Sequence, residues 1–372
     1  MELIVSKQIP FFNYPAMFND HKQEYMQILE DVMSRGAFIM QKELINFEAD
    51  LASYLGVGHA IGVADGTIAL KISLILAGVG DGDEVIVPSH TFIATASAVN
   101  QIGATPILCD CLPDSMIDIE SAKKVVTSKT KAIMPVQLNG RTAEMDDVIA
   151  FANEHGLKIV EDSCQALGSK YKGRFAGTFG VAGSFSFYPA KTLGCFGDGG
   201  ALVLDDADNA ARARMLRDHG RDADGVVRCF GINGRLDNMQ AAILAAKLKR
   251  YDSNLEKRRM LANIYNDRLA DIEGLILPPG PNADNSRYDI FQNYEIQADN
   301  RDALRSALAE AGIGTILQWG GSMIHQFAEL QLRGHTPYAE EMSKRFMLLP
   351  MHPWLEADDI NYICDEIAAF YE

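Results

Sequence analysis

Short apolar runs alternate with helical patterns through the first half of the chain. Five apolar segments have the length of buried strands: 59–63, 84–88, 105–110, 132–136 and 157–161. Three helical patterns separate most of them, at 68–76, 94–102 and 146–155. Repeated β-then-α units with nearly continuous apolar strands are typical of an α/β fold, in which helices cover both faces of a mostly parallel central sheet.

The two ends of the chain have different patterns. Residues 20–56 predict a helix that breaks at Gly36 and a second helix over 41–54, and a long helical pattern over 237–272 predicts a bridge out of the first domain. A smaller C-terminal α+β domain is predicted from four later elements: strands near 290–297 and 313–318, and helices over 301–312 and 357–371. We therefore expect a large domain over 1–250, whose N-terminal segment is free to pack elsewhere, and a small domain over 251–372.

Unusual polar residues follow the predicted strands. They form four groups: 65–67, 90–92, 137–141 and 162–165. Ligands of open α/β sheets bind at the carboxyl ends of the strands. The sequence therefore predicts a site at this edge of the sheet.

Composition limits the classes of partner. With 48% hydrophobic and 23% charged residues, the 372-residue chain is ordinary for a soluble globular protein, and its net charge of −16 argues against broad binding to nucleic acid or an anionic membrane. No run approaches 18 apolar residues, and Met1–Pro10 lacks the features of a signal peptide. We expect a cytoplasmic protein that binds neither nucleic acid nor membrane.

The six cysteines show neither disulfide-framework nor metal-site spacing. In a reducing compartment they are expected to be free thiols. Cys109 and Cys111 lack the second ligand pair that a structural zinc site needs, so we interpret them as a strand end and expect no metal.

One lysine lies in an unusual setting. Ser184–Tyr188 alternates small polar and aromatic residues as a half-buried strand does, Pro189 stops that strand, and Lys191 follows. No acid lies within six positions on either side of Lys191, so desolvation would favour its neutral, nucleophilic amine. The pattern predicts a Schiff-base lysine on a loop between two strands, although a solvated surface lysine fits the local sequence as well.

Pyridoxal phosphate, the cofactor that pairs with such a lysine, makes four further demands. Asp162 could hold the pyridine nitrogen, Gly66 and Thr67 at a helix start could cradle the phosphate with Ser186, Phe92 could stack on the ring, and Gln165 could contact the phenolic oxygen. The alternatives are structural: Asp162 as a helix cap, Gly66 and Thr67 as ordinary N-capping, and Phe92 as a core aromatic.

Taken together, nine segments resemble the DegT-type (StrS-like) sugar aminotransferases. They are 36–39, 65–70, 82–88, 91–92, 161–165, 184–187 with Lys191, 199–200, 231–237 and 349–350. The resemblance spans nearly the whole chain, and its motifs agree in order and spacing. It implies the aspartate-aminotransferase fold (fold type I), bound pyridoxal 5'-phosphate, and a homodimer with the active sites between its subunits.

The resemblance also assigns roles. It makes Lys191 the Schiff-base and proton-shuttling residue, Asp162 the partner of the pyridine nitrogen, and Asn233 a phosphate contact that reaches the other subunit's cofactor. The other cofactor contacts agree with the roles above: Gly66, Thr67, Phe92, Gln165 and Ser186. His325 matches a family histidine near the substrate, and Tyr188 faces either the substrate or the core.

Two positions depart from the family pattern. Asp65 stands where the family often has serine, and Gln137 stands where it often has histidine. These departures concern the phosphate rim and the selection of substrate or amino donor. They leave the lysine and aspartate of the catalytic pair in place.

The resemblance implies transamination of a nucleotide-linked 3- or 4-keto-deoxyhexose, with L-glutamate as donor, for surface polysaccharide such as lipopolysaccharide O-antigen, or for glycosides. Two alternatives stay open: a keto-cyclitol or free sugar as substrate, and a non-catalytic regulator on the same fold. A nicotinamide dehydrogenase would need Gly-x-Gly-x-x-Gly after its first strand, whereas the run at 78–82 precedes a strand and lacks the last glycine.

Overall fold

The structure is a computed structural model that describes residues 7–372. The expectation that the N-terminus is no signal peptide falls mainly on residues 1–6, which lie outside the described residues. None of the helices formed by residues 7–372 is long and apolar enough to cross a membrane.

The strands, in chain order, are β1 (His59–Val63), β2 (Glu84–Pro88), β3 (Thr105–Cys109), β4 (Thr130–Ile133), β5 (Lys158–Asp162), β6 (Lys170–Tyr171), β7 (Arg174–Phe175), β8 (Ala182–Ser186), β9 (Gly200–Leu204), β10 (Leu275–Ile276), β11 (Arg287–Tyr288), β12 (Tyr294–Ala298), β13 (Arg333–Gly334) and β14 (Phe346–Leu349).

The helices are α1 (Tyr14–Asn19), α2 (Lys22–Ser34), α3 (Lys42–Leu55), α4 (Gly66–Leu76), α5 (Ile93–Asn100), α6 (Ile119–Ala122), α7 (Met145–His155), α8 (Ala207–Arg217), α9 (Asn238–Leu248), α10 (Tyr251–Leu269), α11 (Arg301–Glu310), α12 (Pro337–Met342) and α13 (Ala357–Tyr371). Four 3-10 helices supplement them: Leu138–Gly140, Gln318–Gly321, Ile324–Gln326 and Ala328–Leu330.

The main sheet is mostly parallel, as predicted. Its strand order is β1-β9-β8-β5-β4-β2-β3-β13, and β9 runs antiparallel to both of its neighbours. Alternate residues of β2 enter different cores. Val85 and Val87 join a cluster with Leu70 of α4, whereas Ile86 joins one with Phe151 of α7. Because successive side chains of a strand point to opposite faces, helices cover both faces of this sheet.

The register of β9 assembles one edge of the sheet. Gly200, the first residue of β9, pairs with Val63 at the end of β1 and with Ser186 at the end of β8. In the neighbouring strands, Asp162 of β5 pairs with Ser184 of β8. The carboxyl ends of β1, β5 and β8 therefore meet at one place, where the sequence predicts a site.

A second, smaller unit is built on the antiparallel sheet β10-β12-β14 with α10, α11 and α13. Its core also contains Ile9, which bridges to Ile313. Two strands of the 251–372 region leave this unit, because β11 pairs with β6 and β13 extends the main sheet beside β3. The proposed limits of the two domains remain a prediction.

Two predicted elements are wrong in detail. The helical pattern over 237–272 forms two helices, α9 and α10, that are separated at residues 249–250. The strand predicted near 313–318 is absent from the described residues as a strand. Ile313 and Ile316 make only single bridges, and the chain then enters the 3-10 helix Gln318–Gly321.

Candidate active site

A cavity of about 480 Å³ opens at the carboxyl edge of the main sheet. Eight residues singled out from the sequence line it: Gly66, Thr67, Phe92, Asp162, Gln165, Ser186, Tyr188 and Lys191. Asn233 and His325 are not among its lining residues. The cavity thus brings together most of the predicted site, although its lining residues Gly66 and Lys191 are 125 positions apart in the sequence.

A tight loop after β8 carries Lys191. The Lys191 backbone N–H donates to the Tyr188 carbonyl at 2.8 Å. A Cβ on Gly194 would lie 2.4 Å from the Pro189 carbonyl oxygen, so the turn closes only around glycine. The backbone on both sides of Lys191 is also held by Gln292, whose amide donates to the Ala190 carbonyl at 2.9 Å and accepts from the Thr192 N–H at 2.7 Å.

The Lys191 amine is free to react. It makes no hydrogen bond or ion pair with any of residues 7–372 that the structure describes. Burial lowers the pKa of Lys191, and the nearby Cys164 and Asp162 only partly oppose that effect. A lowered pKa increases the fraction of neutral amine, which is the nucleophilic form.

Asp162 ends β5 as a buried, oriented carboxylate. The Thr95 hydroxyl donates to Oδ2 at 2.7 Å, and the Cys164 N–H donates to Oδ1 at 3.2 Å. Because Thr95 donates to the acid, its own oxygen accepts from the Thr91 hydroxyl at 2.7 Å. These contacts fix the carboxylate at the cavity wall. They also show that Asp162 is at a strand end and is not a helix cap.

The first turn of α4 faces the cavity with N–H groups that have no hydrogen-bond partner among residues 7–372. Asp65 caps this helix, since its Oδ1 accepts the Ile68 N–H at 2.8 Å. The N–H groups of Gly66 and Thr67 have no partner inside a helix and lie at its positive end. A Cβ on Gly66 would lie 2.8 Å from the Cys164 sulfur and 3.0 Å from the Ser186 Cβ. Glycine therefore allows the helix start and the Ser186 strand end to converge.

Gln165 and Phe92 complete the wall. The Gln165 Oε1 accepts from the Asn139 N–H at 2.8 Å and from the Asn293 amide at 3.3 Å. Its NH₂ group has no partner in the described part of the chain. Phe92 is 49% exposed and tilts against Trp319 with ring centroids 6.2 Å apart. An amide donor and an open aromatic face thus remain available to a ligand.

The two predicted residues outside the wall lie on different segments. His325 lies on the 3-10 helix Ile324–Gln326, and its Nδ1 is 2.5 Å from the Ser89 hydroxyl oxygen. Burial lowers the pKa of His325 despite the opposing charges of Glu340 and Asp110. Asn233 is exposed on the loop after α8, where its backbone bridges to Asp218. The roles expected of both remain predictions.

The two departures from the family pattern have different positions. Gln137 is fully buried, donates to Glu161 at 2.8 Å and accepts from the Ala143 N–H at 2.7 Å, so it joins the packing behind the cavity. Asp65 lines the cavity itself. Of the two departures, only Asp65 adds a charge to the wall.

The chain's family is evident from sequence comparison. The family described as the DegT/DnrJ/EryC1/StrS aminotransferase family matches residues 19–368. This protein belongs to that family. Aminotransferases of the DegT/DnrJ/EryC1/StrS family depend on pyridoxal phosphate.

Curated relatives match over the full length. The "dTDP-3-amino-3,4,6-trideoxy-alpha-D-glucose transaminase" of Streptomyces venezuelae is 38% identical over 370 residues, which cover 98% of this chain and 97% of the relative. The "Pleiotropic regulatory protein" of Geobacillus stearothermophilus is also 38% identical, over 367 residues and 98% of each chain.

The fold is shared with solved members of the family. The crystal structure of S. venezuelae DesV matches with a TM-score of 0.94 at 37% identity, covering 98% of this chain and 99% of DesV. This match confirms the aspartate-aminotransferase-like fold.

The cavity fits the family's cofactor. Two glycines let the backbone segments at the predicted phosphate end of the cavity pack closely: a Cβ on Gly66 would meet Cys164, and a Cβ on Gly200 would lie 2.5 Å from the Asp65 carbonyl carbon. The unpaired Lys191 amine and the oriented Asp162 carboxylate supply the other two groups that pyridoxal phosphate needs.

Three residues that line or support the cavity wall were not predicted from the sequence. Thr95 lies four residues after Thr91 on the start of α5 and orients Asp162. Trp319 and Gln292 reach the site from the C-terminal part of the chain. Hydroxyl spacing hints at the Thr91–Thr95 pair, whereas the positions of Trp319 and Gln292 depend on tertiary packing alone.

Proposed function

We propose that this DegT/DnrJ/EryC1/StrS aminotransferase transfers an amino group to a 3- or 4-keto-deoxyhexose linked to a nucleotide. The observation that carries the chemistry is the unpaired Lys191 amine in the same cavity as the oriented Asp162 carboxylate. The S. venezuelae relative, whose name describes a dTDP-linked amino sugar, supports the substrate class.

Each residue has a distinct role in this proposal. When bound, pyridoxal phosphate supplies an electron sink that lets a carbon-bound proton leave and return. Asp162 holds a proton at the pyridine nitrogen, and the Thr95 hydroxyl keeps its carboxylate in that orientation. Lys191 would hold the cofactor covalently through its Nζ. When released, the Nζ amine would take up and return a proton as a general base, because the lowered pKa of Lys191 favours its neutral form.

The remaining wall residues bind and orient. The N–H groups of Gly66 and Thr67 and the Ser186 hydroxyl hold the phosphate, because a helix N-terminus attracts anions. Phe92 covers one face of the ring, and the Gln165 amide donates to the phenolic oxygen. Tyr188 and His325 are assigned to the sugar substrate.

We further propose L-glutamate as the amino donor and a homodimer with shared active sites. Two features of the loop after α8 support the dimer. Phe230 is fully exposed and Val227 is 64% exposed, and apolar side chains in that setting are typical of a contact surface. Asn233, on the same loop, would then contact the partner's cofactor phosphate. The amino sugar would serve cytoplasmic precursor synthesis for surface polysaccharides or glycosides.

Lys191 provides the test of the chemistry. We expect borohydride to fix the cofactor to Lys191, and Lys191→Ala to abolish both that linkage and transamination. Lys247→Ala is the matched control: burial lowers the pKa of Lys247 to about 8, but its amine donates to the Gly194 carbonyl at 2.6 Å. Peptide mapping with the tag on any other lysine would overturn the assignment.

The substrate class needs a separate assay. We expect turnover with glutamate and one member of a panel of keto-sugar nucleotides, and poor turnover of unlinked keto-hexoses and keto-cyclitols. If an unlinked keto-hexose or keto-cyclitol were turned over as well as every nucleotide-linked sugar, a free ring would be the better model of the substrate. A protein that binds the cofactor but turns over no substrate would instead favour a regulatory role, which the name of the G. stearothermophilus relative describes.

A further inference from the structure

A buried acid with no role in the proposed chemistry lies beside the active site. Glu295, on β12, accepts hydrogen bonds from three side chains: His90 Nε2 at 3.0 and 3.1 Å, the Ser115 hydroxyl at 2.7 Å and the Gln318 amide at 3.0 Å. Burial by itself raises the pKa of Glu295, but His90 and these hydrogen bonds outweigh burial and lower it. Glu295 is thus an ionised acceptor, and every neighbour must present a donor to it.

This requirement sets the direction of a chain of hydrogen bonds. Gln318 must present its NH₂ to Glu295, and the second hydrogen of that NH₂ goes to the Asn139 Oδ1 at 2.7 Å. The Asn293 NH₂ donates to the same Oδ1 at 2.9 Å and to the Gln165 Oε1 at 3.3 Å. The Asn139 oxygen therefore accepts from two donors. While Glu295 stays charged, neither the Gln318 amide nor the Asn139 amide can flip.

The chain ends at the cavity. Asn139 has a left-handed backbone, with φ of 56°, and this conformation directs its N–H to the Gln165 Oε1 at 2.8 Å. With its oxygen occupied by two donors, Gln165 can offer only its NH₂ to the cavity. The residue after Gln318 is Trp319, which lines the cavity beside Phe92.

We propose that Glu295 is a positioning residue that acts through Gln318, Asn139 and Asn293 to hold Gln165 as a hydrogen-bond donor toward the cofactor's phenolic oxygen. The inference rests on the proposed function, because it assumes that pyridoxal phosphate occupies the cavity. The chain also crosses between the two units, since Glu295 and Gln318 belong to the C-terminal part whereas Asn139 and Gln165 belong to the main one. The position of the small unit on the main one would therefore affect the orientation of Gln165 toward the cofactor.

Glu295→Gln tests this chain of hydrogen bonds from Glu295 to Gln165, here called the relay, in the holoenzyme. The substituted amide has nearly the same shape, but it can donate as well as accept, so the direction of the chain is no longer fixed. We expect the cofactor to stay bound through Lys191 and the phosphate cradle. The pH midpoint of its visible absorption band should rise by about half a unit or more, because a phenolic oxygen without the donated bond holds the neighbouring proton more tightly.

Glu48→Gln is the matched control. Glu48 is also a buried acid, which pairs with Arg217 and accepts the Gly62 N–H at 2.8 Å, but it has no contact with the relay. We expect this variant to lower the melting temperature and to leave the absorption midpoint unchanged. A purely structural role for Glu295 would give the same result as Glu48→Gln, and that result would overturn the proposal.

A second variant covers the case in which Glu295→Gln does not fold. Gln318→Met removes the amide that donates to both Glu295 and Asn139, and it leaves the bonds from His90 and Ser115 to Glu295 in place. Gln318→Met should also raise the pH midpoint of the visible absorption band. An unchanged midpoint would overturn the proposed relay. Failure of the proposed function is distinguishable, because the unsubstituted protein would then show either no cofactor band or no turnover of any keto-sugar nucleotide.

Discussion

At the scale of single residues, the site depends on glycines that leave no side chain to clash as well as on functional side chains. Gly66 has no side chain where one would meet the Cys164 sulfur at 2.8 Å and the Ser186 Cβ at 3.0 Å. We expect Gly66→Ala to displace the first turn of α4 and to weaken cofactor binding about tenfold or more, since overpacking costs about 1–3 kcal/mol. Fluorescence titration of the apoenzyme with pyridoxal phosphate measures the change.

Gly80→Ala serves as the control for this substitution. A Cβ on Gly80 would meet nothing within 4 Å, so the same chemical change carries no packing penalty there. Equal affinities for the two variants would mean that the α4 turn does not hold the phosphate.

The sequence predicts this site well where the chemistry is local. Lys191, Asp162 and Gly66 stand out because strand ends and helix starts are readable from apolar patterns, and the structure brings all three to one cavity. Glu295 and Trp319 could not be predicted, because a strand acid and a tryptophan have no local signature of function. Their positions follow from the seating of the second unit on the first.

At the scale of elements, the N-terminal segment is held by a histidine. His352 Nε2 donates to the Pro10 carbonyl at 3.3 Å, and burial, with the nearby Arg258, lowers the pKa of His352 to about 4 from 6.5. Between pH 6.5 and about pH 4, the His352 imidazole therefore stays mostly neutral in the folded protein, whereas in the unfolded protein it takes up a proton. Stability is lost as pH falls from 6.5 toward 4.

The size of this loss can be measured by urea unfolding. Between about pH 7.5 and about pH 5, His352 should account for a loss of about 2 kcal/mol in the free energy of unfolding, and His352→Gln should remove that part of the pH dependence. His155→Gln, at the exposed C-terminal end of α7, should leave it intact. An identical pH dependence in all three proteins would show that His352 does not stay neutral.

The elements with strong periodicity were predicted correctly, and the weaker ones were not. β1, β2 and α4 match their predicted positions within one to two residues because they are buried and apolar. The run at 313–318 has strand-like residues, but Gly314 lies against the N-terminal segment: a Cβ there would be 2.7 Å from the Phe11 nitrogen. Contacts with a segment 300 residues away cannot be read from the local pattern.

At the scale of the whole molecule, the shared-site dimer can be tested by complementation. Asn233→Asp would set a carboxylate against the partner's cofactor phosphate and weaken cofactor binding by about 1–3 kcal/mol. If Asn233 acts across the interface, mixing Asn233→Asp subunits with Lys191→Ala subunits gives dimers that have one intact site, and activity should reappear at limiting cofactor.

Each parent alone should be inactive or nearly so under the same conditions. If mixing restores no activity although subunit exchange is verified by native mass spectrometry, Asn233 acts within its own subunit. That outcome would refute the shared-site geometry and leave the chemistry of Lys191 untouched.

The packing of Ile9 among Leu304, Ile313 and Ile367 also constrains biosynthesis. The ribosome makes residue 9 early and residue 367 after a further 358 residues, at about 5–20 residues per second. The core of the second unit therefore cannot close until its last helix has emerged, although the main sheet is synthesised much earlier. For tens of seconds the leading segment has no apolar partner of its own, which makes this interval the one in which a chaperone would protect the nascent chain.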